Sequence, residues 1–205
     1  MPSSATLSTL RDRVEALLYD STNVVWSTGT IDEGLRLALE EYSRARPYVV
    51  WGTVTPAAST REVSLSALTG LVDVVRVWFP YTASAPEYPP RWVDAVVWWE
   101  SGTPYLFLDV ASAPNGTDVA RIVYTKAHAL KDLDGASAST FPAADDGLLV
   151  LGGAGYAALS READAVDTEP RERRAPDDYQ TLSSRLLAEF RRRLRQSSRD
   201  VRYGV

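Results

Sequence analysis

The 205-residue sequence contains no cysteine, one histidine and one methionine. Without cysteine the chain has no disulfides, thiol nucleophiles, iron–sulfur clusters or cysteine-ligated zinc. A Ser–His–Asp relay would need the single histidine, His128, and no G-x-S-x-G motif is present. A lone histidine after a predicted strand is more often structural than catalytic. No other group of residues forms a recognisable catalytic constellation, and nothing favours the carboxylate pairs, so we predict that the protein is not an enzyme.

Long hydrophobic runs are also missing. Nowhere do about 18 apolar residues follow one another, so the sequence predicts no transmembrane helix and no membrane partner. The residues before Arg11 lack the basic and apolar regions of a secretory signal. We expect a soluble product made in the cytoplasm, with an ordinary packed core, because 45% of its residues are hydrophobic and 24% are charged.

Two strings resemble ligand-binding loops but lack their key residues. Gly152–Gly155 is not followed by the Lys-Ser or Lys-Thr of a phosphate loop, so we interpret its glycines as packing positions in a helix. The string that begins at Asp20 has Val25 where a calcium loop needs glycine, and Ile31 where it needs a bidentate acid. We predict no cofactor and no metal site.

Charge is divided unevenly along the chain. Residues 1–170 carry 12 basic and 22 acidic side chains, net −10, whereas residues 171–205 carry 10 basic and 5 acidic side chains, net +5. All ten basic residues of the second part are arginine. The C-terminal end is therefore expected to meet an acidic partner.

Helical periodicity marks both ends of the chain. Apolar spacings of three and four predict four helices, at Thr6–Tyr19 with Thr6 as N-cap, Thr30–Arg46 with a capping box at Thr30 and Glu33, Asp146–Ala165, and Pro176–Gln196. A weaker helical pattern covers Lys126–Leu133, and a charged connector is expected over Asp164–Asp178. The helix from Asp146 has almost no polar face, so we expect it at the centre of a bundle.

The middle of the chain has the composition of strands and turns. Residues 47–125 hold 12 of the 20 aromatic residues, five of the six tryptophans, eight of the 12 prolines and no lysine. We predict six strands, at Tyr48–Thr55, Arg61–Leu65, Leu71–Phe79, Arg91–Trp99, Tyr105–Asp109 and Val119–Thr125. Short turns at Ala57–Thr60, Glu100–Thr103 and Ala113–Gly116 suit antiparallel hairpins.

The predicted fold class is α+β. A helical bundle core of residues 1–46 and 126–197, with two N-terminal and two C-terminal helices, carries an inserted antiparallel β meander or sandwich of residues 47–125. Residues 198–205 have no period and are expected to form an extended, flexible C-terminal tail.

Two adjacent tryptophans in the predicted β insert cannot both lie in the same core. Trp98 and Trp99 lie next to each other on a predicted strand and so point to opposite faces. An exposed tryptophan would suit a carbohydrate- or ligand-binding module, because indoles stack on sugar rings and bases. We favour a sheet covered on both faces or an interface between subunits, where tryptophan is enriched.

The C-terminal arginines suit a solvated helix face, a nucleic acid or the acidic groove of a protein. We favour the protein groove, because the rest of the chain is acidic and no known DNA-binding motif is present. The predicted partner-binding residues are Arg191, Arg192, Arg193, Arg195, Arg199 and Arg202, with Tyr203 and Val205 as apolar anchors.

Several short strings occur in a characteristic order across residues 6–196. They are Trp26-Ser27 leading to Ile31-Asp32, Leu35, Ala38-Leu39 and Glu41–Pro47; Tyr105–Leu108; Ile122–His128; Leu148–Gly152 leading to Tyr156-Ala157; and Leu187–Arg191. In their order and spacing they resemble the head–tail connector adaptor, or head-completion, proteins of long-tailed double-stranded-DNA bacteriophages.

The resemblance implies a structural protein of the virion neck, made in the host cytoplasm. Such adaptors form a ring, expected to be a dodecamer, that docks on the portal protein after DNA packaging. The ring extends the DNA conduit and offers a platform to the next stopper or tail-completion protein. The C-terminal segment reaches into the portal, which maps here onto Arg191–Val205. Double-stranded DNA would pass through the lumen without specific binding, with part of the acidic body facing the channel.

Overall fold

The structure, a computed structural model, describes residues 1–22, 25–168 and 175–198. It confirms the α+β class, with helices and antiparallel strands in separate parts of the chain. The chain divides into two compact units, Met1–Pro47 with His128–Val205, and Tyr48–Ala127. Within the described ranges the first unit contains helices α1 (Leu7–Leu17), α2 (Thr28–Ala45), α3 (Asp146–Thr168) and α4 (Ala175–Ser198).

The two N-terminal helices begin at side-chain caps. The hydroxyl of Thr6 accepts a hydrogen bond from the backbone N–H of Thr9, which confirms Thr6 as the N-cap of α1. The predicted capping box of α2 is wrong. Ser27 accepts from the N–H of Thr30 at 3.1 Å, so Ser27 is the N-cap and the helix begins at Thr28. Glu33 is left to pair with Arg36 one turn further on.

The C-terminal half differs from its prediction in two places. Helices α3 and α4 run further than expected, so the predicted charged connector is reduced to the residues between Thr168 and Ala175, which lie outside the described residues. The weak helix expected over Lys126–Leu133 is wrong, because strand pairing continues through Lys126. Beyond it, the backbone amide of Ala129 donates to the hydroxyl of Thr140, so a side chain satisfies an amide that a helix would otherwise pair.

Helix α3 packs at the centre of the first unit, as its apolar sequence predicts. Its glycines bring the neighbouring helices close. A Cβ on Gly153 would lie 2.7 Å from the side chain of Leu35 on α2, and one on Gly155 would lie 2.8 Å from Leu187 on α4. The approach is reciprocal, because a Cβ on Gly34 of α2 would lie 2.5 Å from the backbone oxygen of Gly153. The predicted packing role of these glycines is confirmed.

The second unit is a two-sheet structure. Its strands are β1 (Tyr48–Val54), β2 (Glu62–Ser64), β3 (Asp73–Tyr81), β4 (Trp92–Val93), β5 (Ala95–Glu100), β6 (Thr103–Leu108) and β7 (Val119–Lys126). One sheet has the order β1-β7-β3-β4 and the other β2-β6-β5, and every pairing is antiparallel. Both sheets contribute to one buried core, which includes Val77, Leu106 and Ile122.

Of the predicted meander or sandwich, the structure has the two-sheet sandwich form, and its strand order is not that of a simple meander. Of the three predicted turns, only Glu100–Thr103 joins strands that pair with each other, β5 and β6. The turns at Ala57–Thr60 and Ala113–Gly116 connect strands of different sheets, so the hairpins expected there are wrong. Turn-forming residues mark a change of direction, but they leave open which strand the chain pairs with next. The strand predicted at Arg91–Trp99 is also divided, between β4 and β5 at Asp94.

The close approach of α2 and α3 predicts the effect of adding one methyl group. Gly34→Ala should lower the free energy of unfolding by about 1–3 kcal/mol, because the new Cβ meets backbone rather than a flexible side chain. Gly29→Ala is the matched control in the same helix. Its Cβ meets nothing closer than 3.8 Å, so we expect an unchanged or slightly increased stability. Equal urea midpoints for the two variants would contradict the close packing.

Candidate partner-binding surfaces

The arginine-rich end of α4 is fixed to the bundle by an ion pair. The Nε of Arg191 donates to Oε1 of Glu41 on α2 at 2.8 Å, and its Nη2 lies 3.3 Å from Oε2. The hydroxyl of Tyr156 on α3 donates to the same carboxylate. One carboxylate therefore joins three helices, and Arg191, predicted as a partner-binding residue, has an intramolecular partner.

The three groups shift one another's titration. Burial alone would raise the pKa of Glu41, but the hydrogen bonds from Arg191 and Tyr156 outweigh it and hold that pKa below its ordinary value. The pKa of Tyr156 is raised, first by burial and then by the hydrogen bond to Glu41. The pKa of Arg191 is raised by the same carboxylate. The cluster thus holds one negative and one positive charge at neutral pH.

The next two arginines are exposed and share one carboxylate on their own helix. Glu189 accepts from the Nε of Arg192 and from the Nε of Arg193, each at 2.6 Å. These hydrogen bonds, that from Arg192 first, lower the pKa of Glu189 to about 2. Exposed pairs within one helix are weak because water screens them. A partner's carboxylate can therefore replace Glu189 at small cost.

Two open grooves flank this end of α4. One, of about 520 Å³, is lined by Ala188, Arg191, Arg192, Arg195 and Gln196. The other, of about 310 Å³, is lined by Glu41, Arg44, Ala45, Arg191, Leu194 and Arg195. Arg191 and Arg195 line both grooves. The remaining predicted residues, Arg199, Arg202, Tyr203 and Val205, lie outside the described residues.

The two adjacent tryptophans lie on β5, at the edge of the three-stranded sheet. Trp98 stacks on Tyr105 of β6 with 5.8 Å between ring centroids, and Trp99 is opposite Pro104. Trp99 remains 54% exposed and Val96, on the same strand as these two, 63% exposed. The prediction that the pair would leave an exposed indole is confirmed within this chain, and its burial in an interface stays a prediction.

A second aromatic surface lies on the outer face of the four-stranded sheet. The guanidinium of Arg121 on β7 lies 4.2 Å from the ring centroid of Trp51 on β1. Trp51 in turn stacks on Trp92 of β4, with 6.2 Å between centroids. Sequence reasoning missed this surface, because its members come from strands that are not neighbours in sequence. The sequence signal that could have indicated this surface is the alternation of large side chains along each strand.

His128, the single histidine, contacts side chains of its own helical unit. The Nδ1 of His128 lies 3.0 Å from the hydroxyl of Thr140, and its ring contacts Tyr42 edge to face. Burial lowers the pKa of His128, so the ring is neutral at pH 7. Among residues 1–22, 25–168 and 175–198 no three metal-ligating side chains come together, and no helix is long and apolar enough to cross a membrane.

Comparison with known proteins gives remote structural matches. No protein-family model and no curated protein matches the chain. Among solved structures, the chain aligns with one described as the neck of an empty GTA (gene transfer agent) particle computed with C6 symmetry. The identity is 12% over 91% of this chain and 93% of that one, with a TM-score of 0.32. A chain from the neck of a native GTA particle computed with C12 symmetry matches at the same identity and coverage, with a TM-score of 0.28.

The ion pair between Arg191 and Glu41 predicts a pH-dependent loss of stability. Because the pKa of Glu41 is lower in the folded protein, its contribution is fully present above the ordinary pKa of 4.5 and is lost as the pH falls through the lowered value. At pH 7, Glu41→Gln should reduce the free energy of unfolding by about 1 kcal/mol. The difference from wild type should vanish at the acid end of a series of urea titrations.

Glu40→Gln is the matched control for this experiment. Glu40 is the neighbouring residue on α2, but within the described ranges its ion-pair partner is Arg44 on the same helix, and both side chains are more than half exposed. Its replacement should change the stability by less than about 0.5 kcal/mol at any pH. Equal losses for the two variants would show that Glu41 does not join the helices in solution.

Proposed function

We propose that this protein is a non-enzymatic structural component of the neck of a phage-like particle, and that it acts there as a ring-forming head–tail adaptor. The observation that carries the proposal is the arginine-rich end of α4, which the Glu41 carboxylate fixes to an otherwise acidic helical unit. Support for the proposal comes from this chain's own residues and from the resemblance of its sequence strings. The two neck matches add no support, because their TM-scores lie below 0.5.

The fixed geometry of α4 suits binding to an acidic protein groove. Arg191 holds the helix in place while Arg192, Arg193 and Arg195 remain exposed. Arginine presents a planar fork of donors that matches carboxylates. A preorganised helix loses less side-chain and backbone entropy on binding than a mobile segment does. In this proposal the partner is the portal protein, which the adaptor meets through the end of α4 and the residues that follow it.

The aromatic edge of the three-stranded sheet suits a second contact within the assembly. Strand β5 is an edge strand that contains no lysine or proline, and it exposes Val96 and Trp99. Such an edge is prone to pair with another chain unless a partner covers it. We propose that a neighbouring copy in the ring, or the next neck protein, covers it. A twelvefold ring would match the portal.

The charge of the chain suits the passage of DNA. A basic lumen would hold the double helix through its phosphates, whereas an acidic or mixed lumen lets it slide. In this proposal the acidic body, net −10 over residues 1–170, faces the channel in part, and the arginines face protein. A neck structure in which Arg191–Arg195 line the lumen would overturn that arrangement.

Removal of the C-terminal residues tests portal binding. Among the α4 side chains that the structure describes, the last buried one is Leu194. Deletion of residues 198–205 should therefore leave a folded protein with an unchanged melting temperature. We expect the truncated chain to lose capture by the purified portal protein of the same particle. In negative-stain images, the full-length chain should add a ring to the portal and the truncated chain should not.

Charge reversal on α4 tests the contribution of the helix to portal binding separately from that of the tail. Arg192→Glu with Arg193→Glu should weaken capture by the portal at least roughly tenfold, because two charge-assisted contacts are lost. Lys131→Glu is the control, since Lys131 is an exposed cation on the same unit, outside α4. Undiminished portal binding by both the truncated and the charge-reversed chain would refute the proposed docking.

A further inference from the structure

The outer face of the four-stranded sheet carries a compact cluster of aromatic and arginine side chains. Trp51 and Trp92 come from the two edge strands, β1 and β4, and their rings lie 29° from parallel. Between those strands, β7 supplies Arg121 and β3 supplies Arg76, Trp78 and Tyr81. Core residues such as Val77 and Ile122 alternate with them along the same strands, so the cluster lies on the face opposite the core.

The cluster is held together before any ligand arrives. The Arg121 guanidinium lies over both Trp51 and Tyr81, 4.2 and 4.9 Å from their ring centroids, and its Nη1 lies 3.3 Å from the Tyr81 hydroxyl. At the other end, the Arg76 guanidinium lies 5.4 Å from the Trp92 ring centroid. Cation–π contacts of this kind fix the rings and the cations relative to each other. A ligand would therefore meet a preformed surface.

The cations of this surface lack an acidic partner. Among the described residues, neither Arg76 nor Arg121 forms an ion pair with a carboxylate. A guanidinium is a hydrogen-bond donor only. Neutral sugars need acceptors as well as donors for their hydroxyl groups, so the surface is poorly matched to them. A ligand that presents a carboxylate supplies the acceptors that these two side chains lack.

The exposed area of the cluster indicates a small ligand whose ring offers an apolar face. Trp51 is 45% exposed, whereas Trp78 is only 6% exposed and Trp92 and Tyr81 are half-buried. Arg121 and Trp92 already lie against the Trp51 indole, and its uncovered part is smaller than the broad apolar patch of a protein interface. A polynucleotide is also disfavoured, because residues 48–127 carry 5 basic and 7 acidic side chains and strand binding needs a groove lined with cations.

We propose that this face, defined by Trp51, Arg76, Trp78, Tyr81, Trp92 and Arg121, is a binding site for an acidic saccharide. A pyranose ring packs on the uncovered part of the Trp51 indole, and its carboxylate accepts hydrogen bonds from Arg121. Arg76 donates to the carboxylate of an adjacent sugar. The site is on the opposite sheet from Trp98 and Trp99, and it does not depend on the proposed neck function.

Calorimetric titration of the full-length chain tests the site. The probe is hexagalacturonate, and its fully methyl-esterified form is the matched neutral ligand with the same rings. We expect saturable binding of the acid and at least tenfold weaker binding of the ester, because only the acid offers carboxylates to the guanidiniums. Equal affinity for the two forms, or no binding of the acid at millimolar concentration, would overturn the proposal.

Three single-residue variants locate the binding. Trp51→Ala removes the stacking ring and Arg121→Gln removes the central cation, so each should weaken hexagalacturonate binding roughly tenfold or more. Arg76→Gln should also weaken it, and because Arg76 is exposed at the rim this variant is expected to fold normally. Thermal melts of all three establish that they are folded. Unchanged affinity in the folded Arg76 and Trp51 variants would refute the site.

Two further measurements distinguish this site from binding at Trp99 and from binding of an oligonucleotide. Trp99→Ala, which removes an exposed indole from the other sheet, should leave the affinity for hexagalacturonate unchanged within about twofold. A ten-residue oligothymidylate should bind at least tenfold more weakly than the acidic saccharide. Loss of binding in the Trp99 variant, or tighter binding of the oligonucleotide, would contradict an acidic-saccharide site at Trp51.

Discussion

The helical unit depends on the close approach of α3 to its neighbours. Gly153 and Gly155 place backbone where side chains would otherwise stand, so α2 and α4 both pack directly on α3. That spacing brings Glu41 of α2, Tyr156 of α3 and Arg191 of α4 within hydrogen-bond distance of one another. The position of the arginine-rich helix end is thus a consequence of glycine packing some distance away. A larger residue at Gly153 or Gly155 would move the surface that we propose for portal binding.

Arginine in the helical unit and tryptophan in the β unit have different surroundings. In the helical unit, arginine is either locked into an ion pair, as Arg191 is, or exposed on α4, as Arg192 and Arg195 are. In the β unit, tryptophans lie on both outer sheet faces, on one side stacked with arginine and on the other stacked with tyrosine. These are surfaces suited to contact. They are surfaces of the kind that the structural role proposed above requires.

Local sequence signals predicted the helices well and the sheet poorly. Thr6 as a cap and the buried, glycine-containing α3 could be predicted because a helix is formed by residues close in sequence. The capping box at Thr30 failed because an equally good cap, Ser27, comes three residues earlier. The order β1-β7-β3-β4 could not be predicted, since strand pairing joins residues up to 78 positions apart, as at Tyr48 and Lys126. Turn residues such as Ala57–Thr60 carry no information about that choice.

The sequence by itself determined the α+β class, the central apolar helix, the acidic body with its arginine-rich end, and the exposed indole at Trp98 and Trp99. Each of these depends on composition or on spacing within one element. Only the tertiary structure decided that Arg191 binds Glu41, while its neighbours stay exposed, and that Trp51, Trp92 and Arg121 form one surface. The physical reason is that those contacts join residues from different helices or non-adjacent strands, and their distances are set by how the elements pack.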